Sequence, residues 1–224
     1  MTRDEAKRLA ARAALEFLPE EGVIGLGSGS TAEIFIDEVG KLVQAGRKLC
    51  GVPTSEASKR RAAGLGIELL DDAGPWTIDV TVDGADEVSA VLDLIKGGGA
   101  CHAREKVVNH ASKKNVIVVD DSKISTHLGE KWPVPVEVLV FGHGTTAEAL
   151  GRLGHAELRK KDGKVVVTDA GNYIYDLRAG VMKAPADVEG WLRAIPGVVA
   201  TGLFLSRADV VLVAGEAGVR RLEK

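Results

Sequence analysis

Apolar residues in this chain fall into short β-branched runs, separated by stretches in which they recur every three or four positions. Val23 to Leu26, Lys48 to Val52, Ile67 to Leu70, Ile78 to Val82 and Val116 to Val119 have strand character. Ala6, Leu9, Ala10, Ala13 and Phe17 share one helical face, as do Ile34, Phe35, Val39 and Leu42; further helices are predicted over Ser55 to Ala63 and Ala103 to Ser112. Strands alternating with helices imply a mostly parallel sheet. At Trp132-Pro133-Val134-Pro135 the pattern changes, and two prolines mark a boundary. Beyond it, strands over 136–141, 156–159, 165–168, 173–177 and 198–203 and helices over 145–153 and 187–194 fit a small ferredoxin-like module. The apolar run Asp209 to Val213 is expected to return to the first sheet. The predicted fold class is α/β: a Rossmann-like, mostly parallel sheet domain over 1–128 plus 204–224, with a smaller ferredoxin-like α+β domain over 129–203.

Candidate chemistry gathers where strands end. The 78–82 strand delivers Asp83-Gly84-Ala85-Asp86-Glu87 at its carboxyl end, the end at which open α/β sheets bind ligands. Short acids also cap turns and helices. Capping, however, calls for neither the Lys96-Gly97-Gly98-Gly99 segment nor the Arg104-Glu105-Lys106 triplet that follow. An ammonium beside glycine N–H groups suits an oxyanion, and carboxylates suit proton transfer. Glu105 alone reads better as part of an exposed, salt-bridged helix face and gains only from its neighbours.

Gly27-Ser28-Gly29-Ser30-Thr31 links a strand to a helix, the arrangement that aims N–H groups at an anion. Position 30 is Ser where a dinucleotide fingerprint needs Gly or Ala, no acid ends the next strand, and no Gly-Lys-Ser/Thr occurs there. Neither a nicotinamide cofactor nor a P-loop is therefore expected. What remains is a cradle for a single phosphate, with the hydroxyls of Ser28, Ser30 and Thr31 beside backbone donors; an ordinary turn with Ser30 as helix N-cap is the plain alternative. Lys123 follows the 116–119 strand and adds a cation at the same sheet edge, or sits in a surface turn. These stations imply one cleft suited to proton abstraction next to the carbonyl of a phosphorylated sugar.

Bulk composition narrows the partners. With 29 Lys and Arg against 32 Asp and Glu, the net charge of −3 gives no global attraction for nucleic acid or an anionic membrane. No apolar run approaches the roughly 20 residues of a membrane span, and the charged N-terminal residues lack a signal-peptide core, so a cytoplasmic location is expected. The two cysteines and five scattered histidines match no disulfide framework or metal-ligand spacing, and no metal is expected. Cys101 and His102 receive no role.

The segments GSGSTA (27–32), DGADE (83–87), IKGGGA (95–100), REK (104–106), DSK (121–123), PVPVEV (133–138) and TDAGN (168–172) together resemble the type A ribose-5-phosphate isomerases, in order and spacing through most of the chain. That resemblance implies an aldose-ketose isomerase of the pentose phosphate pathway, interconverting ribose 5-phosphate and ribulose 5-phosphate through an enediolate. It implies Glu105 as the base between C2 and C1, and Asp83 and Asp86 on sugar hydroxyls and ring opening. By the same resemblance Lys96, Gly97, Gly98 and Gly99 stabilise the enediolate, while Ser28, Gly29, Ser30, Thr31, Gly84, Ala85 and Lys123 are further substrate contacts. No cofactor and a homodimer or homotetramer are implied as well. Position 28 is Ser where the family often has Thr, which keeps the hydroxyl. Three rivals remain open at this point: a silent sugar-phosphate sensor, an acyl-CoA transferase-like enzyme with a glutamate nucleophile, and an isomerase of aldose 6-phosphates.

Overall fold

The structure is a computed structural model and describes residues 1–223. Along the chain run α1 (Arg3–Ala13), β1 (Glu21–Leu26), α2 (Ser30–Gln44), β2 (Lys48–Pro53), α3 (Glu56–Gly64), β3 (Glu68–Leu69) and β4 (Val80–Asp83). Next come β5 (Glu87–Val88), β6 (Leu94–Ile95), α4 (His102–His110), β7 (Asn115–Asp120), β8 (Val134–Val138), α5 (His143–Leu150) and β9 (His155–Leu158). The remaining elements are β10 (Lys160–Lys161), β11 (Lys164–Val165), β12 (Tyr173–Arg178), α6 (Pro185–Arg193), β13 (Val198–Thr201), β14 (Leu203–Phe204), β15 (Val210–Gly215) and β16 (Gly218–Glu223). The chain divides into two compact units, one of residues 1–85, 104–123 and 207–224, the other of 86–103 and 124–206.

The first unit holds a seven-stranded sheet in the order β16-β15-β7-β4-β1-β2-β3, parallel throughout except for the β15–β16 pair. Central strands of such a sheet are covered on both faces, which requires continuous apolar runs rather than alternation. Accordingly β7, Asn-Val-Ile-Val-Val-Asp, is buried at every position. α1 starts where Thr2 and Glu5 cap each other reciprocally, and its Ala6 and Ala10 pack into a core with Ile24, Phe35, Val82 and Leu212.

The second unit is built on an antiparallel sheet in the order β13-β8-β12-β9, with α5 between β8 and β9 and α6 between β12 and β13. That succession is the ferredoxin-like βαββαβ pattern, with the β10–β11 hairpin inserted. Val136, Leu150, Leu177 and Leu192 form its core.

Several expectations shift. Residues 86–103, read as part of the first domain, group with the second unit, because β5 pairs with β6 and β6 with β14 rather than with any parallel strand. Pro135, read as boundary punctuation, lies inside β8, where its carbonyl accepts the Gly202 N–H at 2.6 Å. The strand expected over 198–203 breaks at Gly202, where a Cβ would strike the Lys96 carbonyl and stand 2.6 Å from the Pro135 ring. The 165–168 strand shortens to β11, with Val167 only bridging Tyr173. β16, absent from the sequence reading, pairs along the whole of β15.

Two buried carboxylates brace the second unit. Glu87, 0% exposed, accepts the N–H groups of Gly129 (2.9 Å), Lys131 (3.0 Å) and Trp132 (3.3 Å). Glu137, 1% exposed, accepts from the Thr168 hydroxyl and the Asn172 amide, both at 2.9 Å, so two residues of the TDAGN segment serve structure. Removing an acceptor from several buried donors exposes each of them to its desolvation penalty. Glu87→Ala is therefore expected to cost about 2–4 kcal/mol in urea unfolding, and Glu87→Gln, which keeps one acceptor oxygen, less than half of that. Equal losses would show that the 129–132 loop does not depend on these hydrogen bonds.

Candidate active site

After β1 the first unit's sheet grows through β2 and β3 on one side and then resumes with β4 on the other. The carboxyl ends of β1 and β4 therefore flank a topological switch point, where such sheets open a crevice. Gly27 leaves β1 with its N–H on the Val82 carbonyl at 3.0 Å, so close to β4 that a Cβ would lie 2.6 Å from Asp83 Cα. Asp83 itself is buried, and its Oδ1 accepts the N–H groups of Ser28 at 3.0 Å and Gly84 at 2.8 Å. The phosphate-cradle segment and the first aspartate are thus bonded to each other.

Gly29 caps α2 with φ +97°, a left-handed conformation open to glycine, and Ser30 becomes the first helical residue rather than the cap. Ser30 is exposed and Thr31 half-buried at this helix N-terminus. Ser28 differs from the expectation. Its hydroxyl exchanges hydrogen bonds with Thr54 Oγ1 and Ser55 Oγ, both 2.7 Å away, and Ser58 Oγ at 3.2 Å, while its N–H is taken by Asp83. One hydroxyl offers one donor and two acceptor sites, so Ser28 is occupied inward. Thr54 and Ser58 in turn hold the carbonyls of Leu26 (3.1 Å) and Gly27 (2.6 Å). This hydroxyl cluster was missed in the sequence, although Thr54-Ser55 directly follows β2, the strand beside β1.

Gly27→Ala places a methyl group against Asp83 and is expected to cost about 1–3 kcal/mol by overpacking. Turnover should fall with it, because the Ser28 N–H would be pushed off Asp83. A variant with wild-type thermal stability and activity would mean that β1 and β4 separate freely here.

Glu105 lies in the first turn of α4 and is 5% exposed. Its side chain is thus buried and not on the exposed face expected; its neighbour Arg104 pairs with Glu56 of α3 at 2.9 Å. Lys123, half-buried, closes a short turn after β7, next in the sheet to β4, where Asp120 Oδ1 accepts the Ser122 N–H at 3.0 Å.

The remaining candidates belong to the second unit. Asp86 donates its N–H to the Ile95 carbonyl (2.8 Å), and its Oδ2 accepts the Gly98 N–H at 2.7 Å. Lys96 is 3% exposed, with its N–H on the Gly202 carbonyl and Nζ 5.5 Å from the centre of the Phe204 ring. Gly97 has φ +110°, and a Cβ there would stand 2.7 Å from His102 Nδ1; at Gly98 it would stand 2.6 Å from Asp86 Oδ1. Nothing crowds Gly99. Gly84 and Ala85 are half-buried on the segment leading to Asp86. Arg159, which the sequence reading did not single out, donates from Nη1 to the Gly97 carbonyl at 2.6 Å. Among the described residues no group of three or more His, Cys, Asp or Glu is arranged to hold a metal ion, and no helix is long and apolar enough to cross a membrane.

The family model described as ribose 5-phosphate isomerase A (phosphoriboisomerase A) matches residues 50–218. The chain belongs to the ribose 5-phosphate isomerase A family. The ribose-5-phosphate isomerase A of Gloeobacter violaceus is 44% identical, over 99% of this chain and 97% of the relative, and that of Maricaulis maris is 46% identical over 99% of each. The solved ribose 5-phosphate isomerase A of Methanocaldococcus jannaschii is 38% identical with a TM-score of 0.94, both chains covered in full. A D-ribose-5-phosphate isomerase solved in complex with phospho-erythronic acid is also 38% identical, with a TM-score of 0.95 over the whole of both chains. Within this family the expected α/β fold with a mostly parallel central sheet is the observed one.

Proposed function

We propose that this protein interconverts ribose 5-phosphate and ribulose 5-phosphate through an enediolate, with Glu105 moving the proton between C2 and C1. The observation that carries the reading is Asp83, a buried carboxylate gripped by two N–H groups at the switch point of the sheet, in a chain matching the isomerases along its whole length. A carboxylate is a weak base toward carbon, so the charge forming on the neighbouring oxygen needs strong stabilisation. Lys96 and the glycine N–H groups supply it, the ammonium acting from a buried position where screening is weak. Asp83 and Asp86 bind hydroxyls and carry protons to and from oxygen during ring opening. Ser30, Thr31, the Gly29 turn and Lys123 hold the phosphate, and the oriented N–H groups at the start of α2 favour that dianion.

The chemistry needs neither a cofactor nor a metal. A homodimer or homotetramer is part of the proposal; Leu139, Val140 and Phe141 after β8 and Val199 on β13 are exposed apolar residues of the second unit that suit a second copy.

The test is interconversion of the two pentose phosphates in D2O with a chelator present. Turnover with deuterium appearing on carbon is the expected result, undiminished by the chelator. A folded protein that binds ribose 5-phosphate without converting it would favour the sensor reading, and activity that returns only with added divalent ion would overturn the carboxylate mechanism.

A further inference from the structure

The glycine triplet is held from two sides within the second unit. On one side the Gly98 N–H reaches Asp86 Oδ2 at 2.7 Å. On the other, Arg159 Nη1 donates to the carbonyls of Gly97 at 2.6 Å and Gly98 at 3.3 Å. The rest of the guanidinium is fixed by Asp176, through Nε to Oδ2 at 2.8 Å and Nη2 to Oδ1 at 2.5 Å. Both side chains are largely buried, 13% and 25% exposed.

In a trans peptide the carbonyl and the following N–H point in opposite directions. Fixing the Gly97 carbonyl on Arg159 thus directs the Gly98 N–H to the opposite side, where Asp86 receives it. Fixing the Gly98 carbonyl on the same nitrogen directs the Gly99 N–H to that side too. Gly99 is exposed and a Cβ there would meet no atom within 4 Å, so a ligand has room to approach this residue. With Gly97 at φ +110° and no Cβ on three successive residues, this segment has little conformational preference of its own. Its shape must come from outside, and a planar fork bonded to one carboxylate and two carbonyls can supply it.

We propose that Arg159, oriented by Asp176, is a positioning residue for isomerisation: it sets the peptide planes of Gly97-Gly98 and Gly98-Gly99, and thereby the N–H donor offered to the enediolate oxygen. The proposal rests on the isomerase reading above. Lysine is no substitute, because a point ammonium cannot bond Asp176 in two places while also holding two carbonyls.

The experiment measures kcat, KM, thermal stability and the inhibition constants of phospho-erythronic acid and inorganic phosphate for wild type, Arg159→Lys, Arg159→Ala and Asp176→Asn. Phospho-erythronic acid carries a carboxylate that imitates the enediolate oxygens, whereas inorganic phosphate probes the other end of the site. Losing one oxyanion donor costs about 10²- to 10³-fold, so misaiming one is expected to lower kcat by roughly 10- to 100-fold with KM little changed. Phospho-erythronic acid should weaken in step with kcat, inorganic phosphate should not, and Asp176→Asn should fall between wild type and Arg159→Ala. Arg159 also lines a cavity of about 280 Å³ with Gly98, Lys131, Trp132, Asp176 and Arg178, so added guanidinium ion should restore part of the Arg159→Ala turnover.

Folded variants with wild-type kcat, or parallel weakening of both inhibitors, would overturn the proposal. If Arg159→Ala does not fold, the Lys and Asp176→Asn variants carry the comparison. A wild-type protein without isomerase activity would instead refute the underlying reading.

Discussion

Glu105→Gln is expected to lower kcat for ribose 5-phosphate by about 10³- to 10⁴-fold and to leave KM within a few-fold of wild type. The change keeps the size and shape of the side chain and removes its charge and its capacity to take up a proton. Glu105 is 5% exposed, so bulk water is a poor substitute for the missing base. Its place in the first turn of α4, beside the Arg104–Glu56 ion pair, helps to hold the backbone that carries it. The substituted amide would therefore sit where the carboxylate sits. Steady-state kinetics with deuterium exchange on carbon check the first part, and the inhibition constant of phospho-erythronic acid checks the second. Loss of turnover and inhibitor binding in equal measure, with a lowered melting temperature, would assign Glu105 to folding instead.

Asp83 is expected to give two separable effects. Asp83→Ala removes the acceptor of the Ser28 and Gly84 N–H groups, and hydrogen bonds to a charged group contribute about 1.5–3 kcal/mol each before water regains access. A destabilisation of about 2–4 kcal/mol follows, together with loss of the turn that leads into α2. Asp83→Asn retains an amide oxygen for those donors and should cost less than about 1 kcal/mol, yet it can no longer exchange a proton with a sugar hydroxyl. Its kcat/KM should fall by about 10²-fold or more, with most of the folding stability kept. Urea unfolding and kinetics on both variants make the comparison. If Asn restores activity along with stability, the Asp83 carboxylate organises the site without taking part in proton transfer.

The strands and helices of the parallel sheet were legible because their signals are local. β7 is a continuous β-branched run, α1 opens on a capping box, and Gly27, Gly29, Gly97 and Gly98 occur where a left-handed backbone or a close approach disfavours a Cβ. The carboxylates at the strand ends were legible for a related reason, since a parallel strand can only deliver its ligand-facing residues beyond its carboxyl end. The two-residue strands β5 and β6 had no such signal; two residues fit any element, and only the antiparallel pairing of β5 with β6 and of β6 with β14 draws residues 86–103 into the second unit.

What the sequence by itself determined is thus the set of chemical groups, the alternation of elements and the family. The tertiary structure alone decided how those groups are oriented. Ser28 turns its hydroxyl inward because Thr54, Ser55 and Ser58 arrive beside it, following the strand paired with its own. Arg159 reaches Gly97 across 62 positions of chain, and Glu137 meets Thr168 across 31. Such partners carry no periodicity and no fixed spacing, because the contact is created by packing of distant segments, and a hydrogen bond depends on distance and angle that only the folded backbone supplies.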